Sequence, residues 1–321
     1  MAPVSISSTC IFNQLRQKTQ VATRKIVVLG TGGTLAGTSI NPGDNVRYTA
    51  AQIGIGQLLA GIPALKGLAI ESEQVAQVDS KDMTFAIWGD LAARCTHWLA
   101  QDDVAGVVIT HGTDTIEETA FFLQEVLAPA KPVVLTCAMR PATAISPDGP
   151  QNIVDAVAVA SHKGARGVTV VCAGVIHAAR DVAKVHHYRL DPFSSGDSGP
   201  VGHVEEGRVR LVREWPAATT RCEVPSTWPR VEIVLNHAGT SGDMVRSMAA
   251  KGVQGIVVAA TGNGTVHKEL LPALREAQAK GIKVLRASRC AQGGIIPRDD
   301  DELPSTGLSP VKARILLLLG R

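Results

Sequence analysis

The chain has 321 residues, a formal net charge of +3, and is 45% hydrophobic, 19% charged and only 3% aromatic. At roughly 100–200 residues per domain this length predicts two domains, and the composition excludes wholesale disorder. The small, evenly spread charge excludes a nucleic-acid-binding stripe, and no apolar run is long enough to span a bilayer.

Residues 1–24 are polar and irregular, with no apolar stretch of signal-peptide length, and predict an N-terminal extension on a soluble, cytoplasmic protein. Lys25–Leu29 is a β-branched run ending in Gly30-Thr31-Gly32-Gly33-Thr34. Further strands are predicted at Gln74–Val78, Ala105–Thr110, Val133–Thr136 and Val168–Cys172. Helices are expected between them at Ala50–Leu59, Phe85–Leu99, Ile116–Leu127 and Gln151–Lys163. Runs such as Val107-Val108-Ile109 have the continuous aliphatic character of strands buried on both faces of a parallel sheet. Thr115 and Glu118 have the spacing of a capping box at the third helix, and Glu117 and Glu118 suit its positive end. Periodicity fades over Gly196–Pro229. A second alternating set then follows: strand Arg230–Leu235, helix Ser241–Lys251, strand Gly255–Ala259, helix His267–Lys280, strand Lys283–Ala287 and a final helix Ser309–Leu319. The fold class is therefore α/β. A larger N-terminal domain (25–202) has a mostly parallel sheet flanked by helices, a linker spans 203–229, and a smaller α/β domain occupies 230–321.

Cys10, Cys95, Cys137, Cys172, Cys222 and Cys290 are far apart and form no C-x-x-C, as expected of reduced, space-filling thiols. His186 and His187 are adjacent and are expected to point in different directions. No metal and no cofactor is predicted.

Ligands of open parallel sheets sit outside the carboxyl ends of the strands. The first strand delivers Thr34 there, the second Ser80, the third Thr113 and Asp114, and the fourth Ala138. Small hydroxyls recurring beside Gly or Asp suit a small polar molecule. The glycine run lacks the sixth-position glycine of a dinucleotide loop, where Leu35 stands, and there is no Gly-Lys-Ser/Thr. A hydroxyl nucleophile needs a base. His111, before a glycine turn, reads as an orienting rather than a catalytic group. A desolvated lysine is the other option, and composition alone does not single out Lys184.

Gly30-Thr31-Gly32-Gly33-Thr34-Leu35-Ala36-Gly37 resembles the first signature of bacterial L-asparaginases, and Thr110-His111-Gly112-Thr113-Asp114-Thr115-Ile116-Glu117-Glu118-Thr119 resembles the second. Ala138-Met139-Arg140-Pro141 with Asp148-Gly149-Pro150, Arg180-Asp181-Val182-Ala183-Lys184, and Gly262-Asn263-Gly264 match as well, in unbroken order over about residues 25–319. The resemblance implies hydrolysis of L-asparagine through a threonine acyl-enzyme, with glutaminase side activity a further expectation. A non-catalytic amino-acid sensor on the same fold is the competing reading, and it predicts loss of a hydroxyl or of the lysine. Catalysis is assigned by the resemblance to Thr34, Tyr48, Thr113, Asp114 and Lys184. Substrate contacts are assigned to Gly33, Asp79, Ser80, Lys81, Gly112, Thr113, Asp114, Ala138 and Asn263, the last across a subunit boundary in a homotetramer. Lys81 stands where many relatives have glutamine. Arg298-Asp299-Asp300-Asp301-Glu302 is read either as a carboxylate source for a neighbouring subunit or as a solvated acidic loop.

Overall fold

A computed structural model describes residues 24–216 and 220–321. The N-terminal extension, with Cys10, lies outside the described residues. The aliphatic runs form the middle of an eight-stranded sheet of order β10-β9-β6-β5-β4-β3-β1-β2. β1 (Lys25–Gly32), β2 (Ile70–Val78), β3 (Val104–Thr110), β4 (Val133–Thr136) and β5 (Val168–Cys172) run parallel. Their side chains alternate between two cores, as strand geometry requires. Val27, Leu29, Val107, Ile109, Val133 and Leu135 face α2 (Phe85–Leu99) and α3 (Ile116–Leu127). Val28, Val108 and Val134 face α1 (Ile55–Ala60) and α4 (Gly149–Ser161). With both faces covered, β1, β3 and β4 read as largely aliphatic runs, whereas β2 at the sheet edge is half-exposed and mostly polar.

The remaining strands of this sheet are antiparallel: β6 (Val175–Ala178), β9 (Gly202–Glu205) and β10 (Arg208–Leu211). The expectation of an irregular linker from residue 203 is corrected here, because a tight turn at Glu206-Gly207, both at positive φ, folds this charged stretch into an edge hairpin. Edge strands are half-solvated, and so this hairpin lacks the aliphatic signal of the central ones. Between β6 and β9, a two-residue strand β7 (Ala183–Lys184) pairs with β8 (Phe193–Ser194).

The helix expected from Ala50 begins only at Ile55. Ala51 adopts a left-handed φ of 57°, and residues 51–53 give their N–H groups to the carbonyls of Gly33 and Ala36 instead of to a helix. The second sheet is parallel throughout, in the order β11 (Val231–Leu235), β12 (Gly255–Ala260), β13 (Lys283–Ser288), β14 (Ser305–Thr306). It packs on α5 (Asp243–Ala250) and α6 (Leu271–Ala279) on one side and on α7 (Pro310–Leu318) on the other. α6 starts four residues later than expected, with a turn closed on the His267 carbonyl before Pro272 enters the helix. Ile315, Leu316 and Leu319 also join the core of the larger domain, so α7 packs against both sheets' layers.

Candidate active site

The carboxyl ends of β1, β2 and β3 converge on one edge. β1 ends in Gly32 and Gly33 at φ of 104° and 83°, conformations open to glycine. The chain then makes a single 3-10 turn, Thr34–Ala36, that holds Thr34 nearly buried. A Cβ on Gly33 would lie 2.5 Å from the Gly112 nitrogen, and one on Gly112 would lie 2.5 Å from Ser80 Oγ. Backbone-to-backbone contact through two glycines thus brings the ends of three strands together.

Two polar groups occupy this edge. In the first, Thr34 Oγ1 is 2.7 Å from the Tyr48 hydroxyl. Tyr48 lies at the end of a loop closed at its base by the Thr38–Thr49 bridge and tethered by Ser39 N–H to Thr143 Oγ1 at 2.8 Å. Burial pushes the Tyr48 phenol up from its ordinary value; the Thr34 hydrogen bond opposes this, and the Asp79 and Asp114 carboxylates reinforce it. Tyr48 therefore rests as a phenol and not as a phenolate. In the second group, Lys184 Nζ donates to Thr113 Oγ1 at 2.8 Å and to Asp114 Oδ1 at 2.6 Å. The Lys184 side chain is 18% exposed while that of Asp114 is 54% exposed, so the carboxylate faces the solvent side of the pair.

Ser80 is buried at the end of β2, where its Oγ accepts from Asp114 N–H at 3.2 Å and its carbonyl accepts from Thr115 Oγ1 at 2.7 Å. The capping-box expectation is corrected by that last bond. Thr115 is the N-cap of α3, but its hydroxyl is diverted to Ser80 and makes no cap bond. Asp79 caps the short turn that begins at Ser80, accepting from Lys81 N–H at 3.5 Å. The Lys81 ammonium is exposed and paired with Asp82, with the Asp79 and Asp114 charges also acting on it, so it stands at the rim of the site. Ala138, fully buried after β4, is fixed from both sides. Asp148 accepts from the Met139 and Arg140 N–H groups, each at 2.9 Å, and Asn152 donates to the Cys137 carbonyl at 2.9 Å.

His111 is buried and held neutral, its imidazole pushed down to about 4 by burial against the Gly112 carbonyl contact. Trp88 Nε1–H donates to Thr119 Oγ1 at 2.9 Å, Thr119 is 2.9 Å from His111 Nε2, and Nδ1 is 2.8 Å from the Gly112 carbonyl. A carbonyl can only accept, so Nδ1 carries the proton and Nε2 accepts from Thr119. Both ring nitrogens are thus committed, Nδ1 to the Gly112 backbone carbonyl and Nε2 to the Thr119 hydroxyl. His186 and His187 do not diverge: their rings stack, centroids 5.0 Å apart, because His186 Nδ1 accepts from the Tyr188 and Arg189 N–H groups and turns the chain. No group of three or more His, Cys, Asp or Glu among the described residues could hold a metal ion.

Asn263 stands apart from both groups. It lies in the smaller domain, exchanging side-chain hydrogen bonds with the Ile296 backbone at 2.7 and 3.1 Å. In the acidic loop, Asp300 pairs with Arg298, Asp301 with Arg286, and Glu302 with Arg275. Two contributors escaped sequence reasoning. Asn152 was hidden inside α4. Glu117, read only as a helix-starting acid, is buried beside Lys184 and Lys312; burial pushes its carboxyl up despite those nearby charges.

Comparison with known proteins places this geometry in context. Residues 25–217 match the family model described as Asparaginase, N-terminal, and residues 230–320 match the one described as Glutaminase/Asparaginase C-terminal domain. A glutaminase-asparaginase of Pseudomonas fluorescens biotype A is 37% identical over 95% of this chain and 88% of its own length. L-asparaginase 2 of Escherichia coli K12 is 36% identical over 93% and 89% respectively. The crystal structure of a probable cytoplasmic L-asparaginase from Campylobacter jejuni superposes with a TM-score of 0.88 at 39% identity, covering 92% of this chain and 94% of that one. Two family matches that together span both sheets, and relatives that align over nearly their whole length, lead to one conclusion: the chain belongs to the asparaginase family.

Proposed function

We propose that this protein hydrolyses L-asparagine to L-aspartate and ammonia through an acyl-threonine intermediate on Thr34. The observation that carries the reading is the pair of activated hydroxyls on one sheet edge, Thr34 against Tyr48 at 2.7 Å and Thr113 against Lys184 at 2.8 Å. Asparagine bears two charges on one carbon, and a site that excludes water must pair each of them. Asp114 pairs the α-amine and the Ser80 region receives the α-carboxylate, which brings the side-chain amide to Thr34 as a near-intramolecular reactant. Thr34 Oγ1 attacks the amide carbon while its proton is relayed through the Tyr48 hydroxyl to the leaving amide nitrogen. Backbone N–H groups of the glycine turns stabilise the oxyanion, and the tetrahedral species collapses with loss of ammonia. Ala138 offers its carbonyl to the amide nitrogen. Thr113, held by the Lys184 side chain, positions the water that releases aspartate. Lys81 at the rim bears on carboxylate binding, and one extra methylene in this pocket is worth only about 1–3 kcal/mol, so glutamine is a second substrate.

A homotetramer brings Asn263 of one copy to the site of another, consistent with its exposed position on the smaller domain. A cytoplasmic location is part of the same reading, supported by the likeness to the probable cytoplasmic L-asparaginase of Campylobacter jejuni. Ammonia release from asparagine and from glutamine by the native protein, Thr34→Ala and Thr113→Ala tests the reading. Both variants are expected to lose activity by about 10²-fold or more. Full activity in both would overturn the mechanism, and binding of asparagine without turnover by the native protein would favour a sensor.

A further inference from the structure

Lys312 is 2% exposed, a rare state for a lysine, and nothing in the mechanism above uses it. It sits in the first turn of α7, in the smaller domain's C-terminal helix, yet its ammonium points into the larger domain. There Nζ donates to the Arg180 carbonyl at 2.9 Å and also to the Val182 carbonyl. These carbonyls belong to the stretch that runs directly into Ala183–Lys184, the two-residue strand bearing the lysine that holds Thr113. The charges facing Lys312 are Glu117 and Asp181, which favour its ammonium, and Arg180, which opposes it. The Glu117 carboxyl lies close enough to Lys184 and Lys312 for both to act on its charge. The backbone leading into Lys184 is therefore held by Lys312 at two carbonyls just upstream. α7 also packs against α3, the helix that begins immediately after Thr113 and Asp114.

We propose that Lys312 is a positioning residue, a strut from the smaller domain that fixes the 180–184 backbone and so aims Lys184 at Thr113. Burying a lysine is costly, and a methionine would fill the same space without the charge; the two carbonyl bonds are what an ammonium supplies here. This rests on the reading of Lys184 as the group that positions Thr113. A displacement of about 1 Å in a catalytic group can cost on the order of 10²-fold in rate, whereas Lys312 touches no substrate contact.

The test measures kcat, KM for asparagine and thermal midpoint for Lys312→Met, Lys312→Gln, Leu318→Ala and Lys184→Met. Leu318 is buried in the same helix but faces the smaller domain's core, so its truncation destabilises α7 without touching the 180–184 segment. Lys312→Met is expected to lose about 10- to 100-fold in kcat with KM changed by less than about threefold. Lys312→Gln keeps an amide donor on a shorter stem and is expected to lose less, about 3- to 10-fold; it carries the test if the methionine variant does not fold. Leu318→Ala is expected to lower the midpoint while keeping kcat within about twofold. The proposal is overturned if both Lys312 variants keep native kcat, or if Leu318→Ala loses as much kcat as they do. Lys184→Met separates the two layers of the argument. Inactive Lys184→Met with active Lys312 variants removes only the strut, while active Lys184→Met removes the reading beneath it as well.

Discussion

Tyr48 and Lys184 solve the same chemical problem in different ways. A threonine hydroxyl is a poor nucleophile until something takes its proton. Lys184 donates to Thr113 from an ion pair with Asp114, whereas Tyr48 meets Thr34 as a phenol that burial keeps protonated. The phenol therefore works by relaying a proton and by orienting Oγ1, not as a resident anion. Tyr48→Phe removes that hydroxyl and little else. It is expected to lower kcat for asparagine by roughly 10²-fold or more while leaving KM within a few-fold, measured by steady-state ammonia release. A loss confined to KM would make Tyr48 a substrate clamp instead. Much of this chemistry could be anticipated at the residue scale. Thr34, Ser80, Thr113, Asp114 and Ala138 follow from the rule that strand ends carry ligands, because each stands just after a strand readable from the sequence. Lys184 does not, since it stands in a two-residue strand with no periodicity of its own, and only the family resemblance selected it. Asn152, Glu117 and Lys312 act through tertiary contacts made across 15, 67 and 130 residues of chain, and their local patterns say only helix.

The loop between Gly37 and Tyr48 is the element on which the Thr34 group depends. Its tip is exposed, with Ile40 and Val46 in solvent. Its fold is local: the Asp44 carboxylate accepts from the Val46 and Arg47 N–H groups, each at 2.9 Å, and those bonds hold its carboxyl below the ordinary range. Both loop ends are fastened to the strand edge by Ala142 N–H to the Gly37 carbonyl and by the Thr38–Thr49 bridge. An exposed tip on a fastened base is a natural proteolytic site. Trypsin is expected to cut after Arg47, and faster in Asp44→Ala, where the tip loses its internal bonds. The cut protein is expected to lose asparagine hydrolysis because Tyr48 is severed from the turn that presents it. Mass spectrometry of the fragments with parallel activity assays checks this, and a cut protein with full activity would show that the loop is dispensable. At this scale β4, β5, α2 and α3 were legible to the residue, and β1 and β3 to within a few residues. The failures share a cause. Helix signals at Ala50 and His267 were overridden where backbone N–H groups found tertiary or turn partners, and the edge hairpin at 202–211 was hidden by its half-solvated, charged sequence.

Across the whole molecule, α7 ties the two domains together at three charged points. Lys312 reaches the 180–182 carbonyls, Arg314 lies over the Phe85 ring, and Arg321 pairs with the nearly buried Glu125 at 2.6 Å. The larger domain that this clamp closes contains two buried neutral histidines, and they set how the fold responds to acid. His111 is pushed down to about 4 by burial, and His177 likewise to about 4, by burial first and then by the His203, Arg213 and Lys312 charges. The ordinary value is 6.5. Between these values the unfolded chain takes up protons that the folded chain refuses, so stability is fully present above about pH 6.5 and falls as pH is lowered toward 4. A gap of that size makes the loss on the order of 2 kcal/mol per histidine between pH 6.5 and pH 5, a window in which most carboxylates remain ionised. His177 Nδ1 is 2.8 Å from the Ser195 hydroxyl, and its ring lies edge-on to Phe193. His177→Gln keeps a polar partner for Ser195 but cannot titrate. Urea midpoints at about pH 7, 6 and 5 are therefore expected to fall steeply for the native protein and roughly half as steeply, for the histidine share, in His177→Gln. A native midpoint that does not move between pH 7 and pH 5 would mean that the two rings are not held neutral by the fold.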